Sequence, residues 1–478
     1  MIPKHLSLLC LVVLLSGCQA KRFNQTKPRQ TTASTKKQTS KSASKTKKPK
    51  TRQGANNKER PKKLVKNKVV ARPRPVVVRQ RPKPRPKPEP RVKTLTFAMV
   101  GDAMSHPRHN KSSYYKDCKC YRFEDTYRFI KPIIQKVDVA IANLETTLPG
   151  PKGGYTGFPF FGAPDAYSMA LKRTGFDVLI TANNHIYDKK VAGLVRTLEV
   201  LDKQGFQHVG AYRSSEENKK KRHIFIEKKG FKIALLAYTS HVNFYHSIKD
   251  LKPWHVNKLK WDDIYNDQRA LNKLDDVDMV LASMHSWPEH KSQPHPYQLR
   301  RVKWLMHAGV DMVLGHHPHV LQPMETKKVK DQFGDTKDRF VAYSLGNFVS
   351  SMSSFYSTGS IILLFTLEKR KQDDGSWETR LSKVDYVPIW TLRQYNRKTR
   401  RWSYTVLPID TFEDNDHDDV TIPKAIHRRM LSYRRFVHRH LRKGMRTIRA
   451  SIQRSAADDD EEDEDEDEDE EEDEEDDD

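Results

Sequence analysis

Between residues 93 and 390 the chain alternates two patterns of apolar and polar positions. Short apolar runs of β type, the first being Leu95-Thr96-Phe97-Ala98-Met99-Val100, are separated by stretches whose apolar residues recur at helical spacing. Helices are predicted over 166–173, 191–204 and 297–307. Each runs through a glycine into the next apolar run, as in Thr174-Gly175-Phe176, Gln204-Gly205-Phe206 and Ala308-Gly309-Val310. A β-hairpin is predicted at 223–238, where Ile224-Phe225-Ile226 and Ile233-Ala234-Leu235-Leu236 flank Lys228-Lys229-Gly230. Further strands are expected at 361–367 and 382–388. Strands alternating with helices imply an α/β domain over 93–390, with 391–422 as a linker or an extension of it.

Outside that region the apolar periodicity stops. From 19 to 92 the chain is mainly Lys, Arg, Pro, Thr, Ser and Gln, too poor in apolar surface to fold, and is expected to be a disordered tether. Prolines alternate with cations in Arg81-Pro82-Lys83-Pro84-Arg85-Pro86-Lys87-Pro88, a pattern that favours extended polyproline II. Ahead of it, Lys4-His5 and a mostly apolar stretch from Leu6 to Leu15 have the layout of an export signal. The stretch closes on Leu15-Ser16-Gly17-Cys18, which resembles the bacterial lipobox. Residues 1–18 are therefore expected to leave an exported chain, lipid-anchored through Cys18 to the cell membrane or outer membrane.

At the other end, 423–454 holds eleven Lys or Arg and no acid, with Ile426, Met430, Leu431, Val437, Leu441, Met445, Ile448 and Ile452 at roughly helical spacing. It reads as a basic amphipathic helix or helix pair, either packed on the domain or offered to a membrane surface or partner. The segment 455–478, acidic without interruption from Asp458, is expected to be a disordered tail. Even so the formal net charge is +26, so the rest of the chain is strongly basic. Such a field attracts anionic lipid, envelope phosphate polymers, polyglutamate and nucleic acid alike. Charge does not choose among these polyanions; no specific nucleic acid is expected. Beyond the leader the cysteines are Cys118 and Cys120. A bridge over one intervening residue is strained, so loop thiols are expected, with a labile redox pair or a share in a soft metal site as other readings.

Six apolar runs each end in a polar cluster. They close on Asp102, on Asn143-Leu144-Glu145, on Asn183-Asn184-His185, on His285, on His316-His317-Pro318-His319, and on Asn347. In an open α/β sheet the carboxyl ends of strands converge on one crevice, so these residues are expected to meet. Singly, each is an ordinary cap, turn or structural residue. Jointly, one Asp, one Glu, Asn side chains and several His form a mixed N/O set suited to Mn, Fe, Zn or Mg, in one or two ions. His106, His109 and His290 are expected to be solvent-facing loop residues.

At these positions the chain resembles the capsule-synthesis CapA family, also called the poly-γ-glutamate capsule biosynthesis family, a branch of the calcineurin-like metallophosphoesterase superfamily. The resemblance spans about 95–350. It rests on Gly101-Asp102-Ala103-Met104, Asn143-Leu144-Glu145, Ala182-Asn183-Asn184-His185, Gly315-His316-His317-Pro318-His319-Val320 and Tyr343-Ser344-Leu345-Gly346-Asn347-Phe348. It implies a metallophosphoesterase-like α/β sandwich in which Asp102, Glu145, Asn184, His285, His317 and His319 hold the metal and Glu145 bridges two ions. His185 would stabilise the transferring group or protonate the leaving oxygen. Asn143, Asn183, His316, Glu289 and Asn347 would support the ligands or meet substrate. Two departures stand out: Met104 replaces a ligand histidine of the superfamily's first motif, and His285-Ser286-Trp287-Pro288-Glu289-His290 replaces the family's His-Trp-Gly-x-Glu-Tyr.

Three functions fit these features. The first is a cell-surface factor, CapA-like, for synthesis, export or anchoring of an anionic polymer such as poly-γ-glutamate, working within a capsule-synthesis membrane complex. The second is a metal-dependent phosphoesterase of the envelope. The third is a non-catalytic polyanion-binding surface protein.

Overall fold

The computed structural model describes residues 91–243, 250–414, 417 and 420–464, with side chains as far as 456. The expected signal, Cys18 and the tether to residue 90 lie outside the described residues, as does the tail from 465.

The apolar runs fold as two sheets laid face to face. The first half of the chain supplies β1 (Val92–Ala103), a small hairpin of β2 (Tyr114–Tyr115) and β3 (Cys120–Tyr121), then β4 (Val139–Leu144), β5 (Val178–Ile180) and β6 (Gln207–Val209). The middle supplies β7 (His223–Lys228), β8 (Phe231–Thr239), β9 (Met279–His285), β10 (Met312–His316), β11 (Met324–Lys330) and β12 (Thr336–Ala342). The chain then returns with β13 (Asn347–Val349), β14 (Gly359–Lys371), β15 (Trp377–Asn396) and β16 (Arg401–Pro408). The first sheet runs β16-β15-β14-β1-β4-β5-β6, with β13 also paired to β1; the second runs β11-β12-β10-β9-β8-β7. β1, β4, β5 and β6 are mutually parallel, as are β8, β9, β10 and β12, so each set presents its carboxyl ends together.

Both faces of the central strands are buried, which is why they read as continuous apolar runs. In β1, Leu95, Phe97 and Met99 point between the sheets, where they join Ile233 and Leu235 of β8 and Met312 and Leu314 of β10. Ala98 and Val100 point the other way, into a cluster with Tyr127, Ala170 and Leu171. The second sheet repeats this: Leu236 and Tyr238 pack with Ile264, Val302 and Leu305 of the helices that cover it. Those helices are Trp261–Leu271 and Pro296–Ala308; Asp165–Thr174 and Lys190–Lys203 flank the first sheet. The expected hairpin is β7–β8, turning at Lys229 and Gly230, both with positive φ.

Within 391–422, β15 continues to Asn396 and pairs with β16 over eight residues. The basic segment is one helix, Lys424–Glu464, packed on β11 and β15 with Met430, Tyr433, Val437, Leu441, Met445 and Ile448 buried. It runs ten residues into the segment expected to be disordered, because extending a formed helix needs no new nucleus. Two other expectations fail. Cys118 and Cys120 are joined in a disulfide, since Lys119 at φ 50° turns the chain and leaves their Cα atoms 5.2 Å apart. His109 is buried, not solvent-facing: the short helix Pro107–Ser112 turns it and Asn110 inward. Among the described residues no helix is long and apolar enough to cross a membrane.

Candidate metal centre

The strand ends bring most of the expected residues into one buried cluster between the two sheets, with Glu289 exposed at its rim. Asp102 near the end of β1 anchors it. Its Oδ1 accepts from Asn143 Nδ2 at 2.8 Å and lies 3.3 Å from His316 Nδ1; its Oδ2 is 3.1 Å from His319 Nδ1 and accepts from the His317 backbone N–H at 3.2 Å. β1 reaches this point in close contact with the 343–347 segment. A Cβ on Gly101 would fall 1.8 Å from the Gly346 carbonyl oxygen, so only glycine permits the approach.

Glu145 follows β4, its amide donating to Ala103 O at 3.1 Å. Its Oε1 lies 3.5 Å from His285 Nε2 and 3.8 Å from His319 Nε2. His285 ends β9 and has Asn184 Oδ1 at 2.8 Å from Nε2. His317 and His319 stand on the turn after β10, both at positive φ, 94° and 57°. The ring of His317 lies 4.7 Å from that of His285. Donor atoms within 4.8 Å of one another form two buried sets that share Glu145: Asp102, Glu145 and His319, and Glu145, His285 and His317. A third, Glu289 with His317 and His319, is open to solvent through Glu289.

Supporting contacts come from the remaining expected residues. Asn183 Nδ2 donates to Asn143 Oδ1 at 3.2 Å and to Leu144 O at 2.9 Å, and Asn347 Oδ1 sits 3.0 Å from His319 Nδ1. Met104, standing where the resemblance expects a histidine, is buried with its amide bonded to Val349 O. Imidazoles still adjoin Asp102, but they are His316, from β10, and His319, from the turn after it.

Burial sets the electrostatics of the cluster. Burial drives Glu145 well above the usual carboxylate range, and the charge on Asp102 adds to this. Burial also drives His285 and His317 well below the ordinary imidazole value. For Asp102 burial acts upward too, but its contacts with His316 and His319 outweigh it and hold the carboxyl well down. Both oxygens of Glu145 and both ring nitrogens of His317 are buried without a hydrogen-bond partner, as is Nε2 of His316. Orphaned buried groups cost about 1–3 kcal/mol each, more when charged. One or two divalent cations would satisfy carboxylate oxygens and neutral imidazole nitrogens together, so the residues present fit a metal. The donor set, mixed N and O, does not single out one ion.

His185 lies beside the cluster. Its Nδ1 is 2.6 Å from Asp188 Oδ2, which also accepts from the Phe161 amide, and the Phe161 ring packs against it edge-on at 4.6 Å. Asp188 was not among the expected residues, although its position three after His185 in the same turn was a usable sign. Also missed were His241, whose ring is 5.0 Å from that of His317, and Asn243, which bonds Asn184 and lies 3.3 Å from His185 Nδ1. Both follow β8, a seventh strand end that the hairpin pattern concealed.

Residues 96–352 match the family model described as bacterial capsule synthesis protein PGA_cap. The chain is 28% identical over 300 residues to the capsule biosynthesis protein CapA of Bacillus anthracis, covering 62% of this chain and 67% of that one. It is 28% identical over 278 residues to the PGA biosynthesis protein CapA of Bacillus subtilis (strain 168), covering 58% and 68%. Among solved structures, similarity is found to a Thermus thermophilus sulfate thiohydrolase SoxB in complex with glycerol, at 10% identity and a TM-score of 0.32, covering 60% of this chain and 56% of that one. Another is the purple acid phosphatase PPD1 from yellow lupin seeds, at 9% identity and a TM-score of 0.28, covering 60% and 53%. The chain thus spans little more than half of either solved structure.

Proposed function

The chain belongs to the bacterial capsule synthesis protein PGA_cap family, and from that premise we propose that it acts at the cell surface in the synthesis, export or anchoring of an anionic capsule polymer such as poly-γ-glutamate, through a metal-dependent hydrolase-type site. The observation that carries the reading is the buried set of Asp102, Glu145, His285, His317 and His319 with its orphaned oxygens and nitrogens. Asp102, Glu145, His285, His317, His319 and the amide oxygen of Asn184 would hold the divalent ion or ions. When bound, such ions act as Lewis acids on the scissile centre and lower the pKa of water.

The chain's own residues do the rest. Asn143 and the His317 amide fix both oxygens of Asp102, and Asn347 fixes His319, so the ligands are held before any ion or substrate arrives. Asp188 engages His185 Nδ1, which leaves Nε2 as the ring nitrogen able to pass a proton to a leaving oxygen. Phe161 covers one side of that ring and keeps water from it. The polymer as partner, attachment of the exported chain through Cys18 and work within a capsule-synthesis membrane complex complete the proposal; the strongly basic composition supports an anionic cargo.

The test has two readouts. Metal analysis of the purified full chain should find transition metal or Mg, and Glu145→Gln with His317→Ala should lose it. In cells that lay down the polymer, His317→Ala with His319→Ala should abolish surface polymer while the protein stays anchored. Metal-free protein that still supports polymer would overturn the hydrolase-type reading, and unchanged polymer in the double variant would leave a scaffold role in its place.

A further inference from the structure

The helix Lys424–Glu464 buries its apolar stripe on the domain, so that stripe cannot insert into a membrane surface. The outward face is a different object. Arg428, Arg435, Arg442 and Arg449, all exposed, recur every seven residues. Seven residues complete almost two turns, so these four lie in a nearly straight row with about 10.5 Å between successive members and about 32 Å overall. Arg439 and Arg446 form a second row at the same spacing, with Lys443 between. Among the described residues the ion pairs of this helix belong to Arg434, with Asp410 and Glu413, and to Arg454, with Asp338. Among the described residues none of the seven cations just named is paired with a carboxylate.

A row of unpaired cations selects a linear polyanion, and this chain carries one. Residues 458–478 are 21 consecutive Asp or Glu, beginning in the last turns of the same helix and running on past it in the sequence. The first seven, to Glu464, occupy the helix's carboxyl end, where the backbone dipole already places partial negative charge, a costly placement for acids without nearby cations. The reach is sufficient. Glu464 lies about 22 Å along the axis beyond Arg449. The fourteen residues 465–478 extend up to about 46–50 Å, enough to fold back some 25 Å past Arg449 and lie beside Arg446, Arg442, Arg439 and Arg435.

We propose that the cationic rows of this helix are the docking surface of the chain's own acidic segment, which occupies them and competes with external polyanions for them. Tethering gives this competitor a high effective concentration without a tight contact, and salt or a longer polyanion displaces it. The surface is separate from the metal centre and does not depend on the reading of that centre.

The experiment uses the full chain at low salt. Zero-length carbodiimide coupling, read by peptide mass spectrometry, should join Lys443 to the acidic segment within one molecule. A mixture of isotope-labelled and unlabelled protein separates links within a chain from links between chains. In parallel, fluorescence titration with poly-L-glutamate compares the wild type with a chain whose 458–478 acids are replaced by Asn and Gln. Neutralising the segment should tighten binding about tenfold. The gain should vanish when Arg435, Arg439, Arg442 and Arg446, all exposed, are also changed to Gln. Links that favour Lys327 or Lys337 over Lys443, or that form only between chains, overturn the proposal. So does a gain that persists without the arginines, which would mean the segment merely lowers the overall charge.

Discussion

His109 lies buried against Phe123 and Tyr404, its Nε2 3.0 Å from Thr126 Oγ1 and its Nδ1 without a partner. Burial pushes this imidazole from 6.5 down to about 3. The folded state therefore holds the neutral ring, while the unfolded chain takes up a proton near pH 6.5. The site costs nothing above that pH, and stability falls as pH drops from 6.5 toward 3, by about 1.4 kcal/mol per unit. His109→Gln, which removes the titration but keeps polar atoms, should show a shallower loss between pH 6.5 and 4 when urea midpoints are compared with wild type. Parallel profiles would mean that His109 is not the group being protonated. The sequence concealed this residue because Pro107, Arg108, Asn110 and Lys111 around it are polar or turn-forming. By contrast His317 and His319 were legible, since Met312-Val313-Leu314 leads straight into them. Asp188 falls between: its role depends on a turn whose geometry no periodicity records.

At the level of elements, strands announced themselves and docking surfaces did not. Continuous apolar runs marked β1, β4, β9 and β10 because both faces are covered, and the hairpin β7–β8 was marked by Lys229-Gly230. Nothing in the pattern said that the basic helix would press Gly444 onto β11. A Cβ built there would lie 1.6 Å from the Met324 carbonyl oxygen, a backbone atom of a strand that cannot give way cheaply. Helix propensity alone favours Gly444→Ala by about 1 kcal/mol. The close approach decides the sign the other way. Overpacking of this kind costs about 1–3 kcal/mol, so the variant should be less stable than wild type, read as a lower urea midpoint with an unchanged slope. A more stable variant would mean that the helix stands off from β11 in solution.

For the molecule as a whole, the C-terminal helix closes the core that the two sheets begin. Met430, Tyr433, Val437, Leu441, Met445 and Ile448 belong to the same buried cluster as Leu95, Phe97 and Met324. The helical spacing of most of these residues was visible in the sequence, but the partner of that face was not, because the surface it covers joins β11 of the second sheet to β15 of the first, strands far apart in the chain. The energetic weight follows from burial. Six such side chains contribute about 1.5–3 kcal/mol each, together about 10 kcal/mol or more. That rivals the whole stability of an ordinary domain, about 5–15 kcal/mol. A chain ending at residue 423 should therefore fail to melt cooperatively and should bind a hydrophobic dye, with its metal ligands no longer held together. A chain ending at Ala457 keeps all the described buried side chains of the helix and should melt within a few degrees of the full chain. If the first truncation retained a sharp transition, the helix would be an appendage, and the domain would end at the 3₁₀ turn Ile409–Phe412 that follows β16.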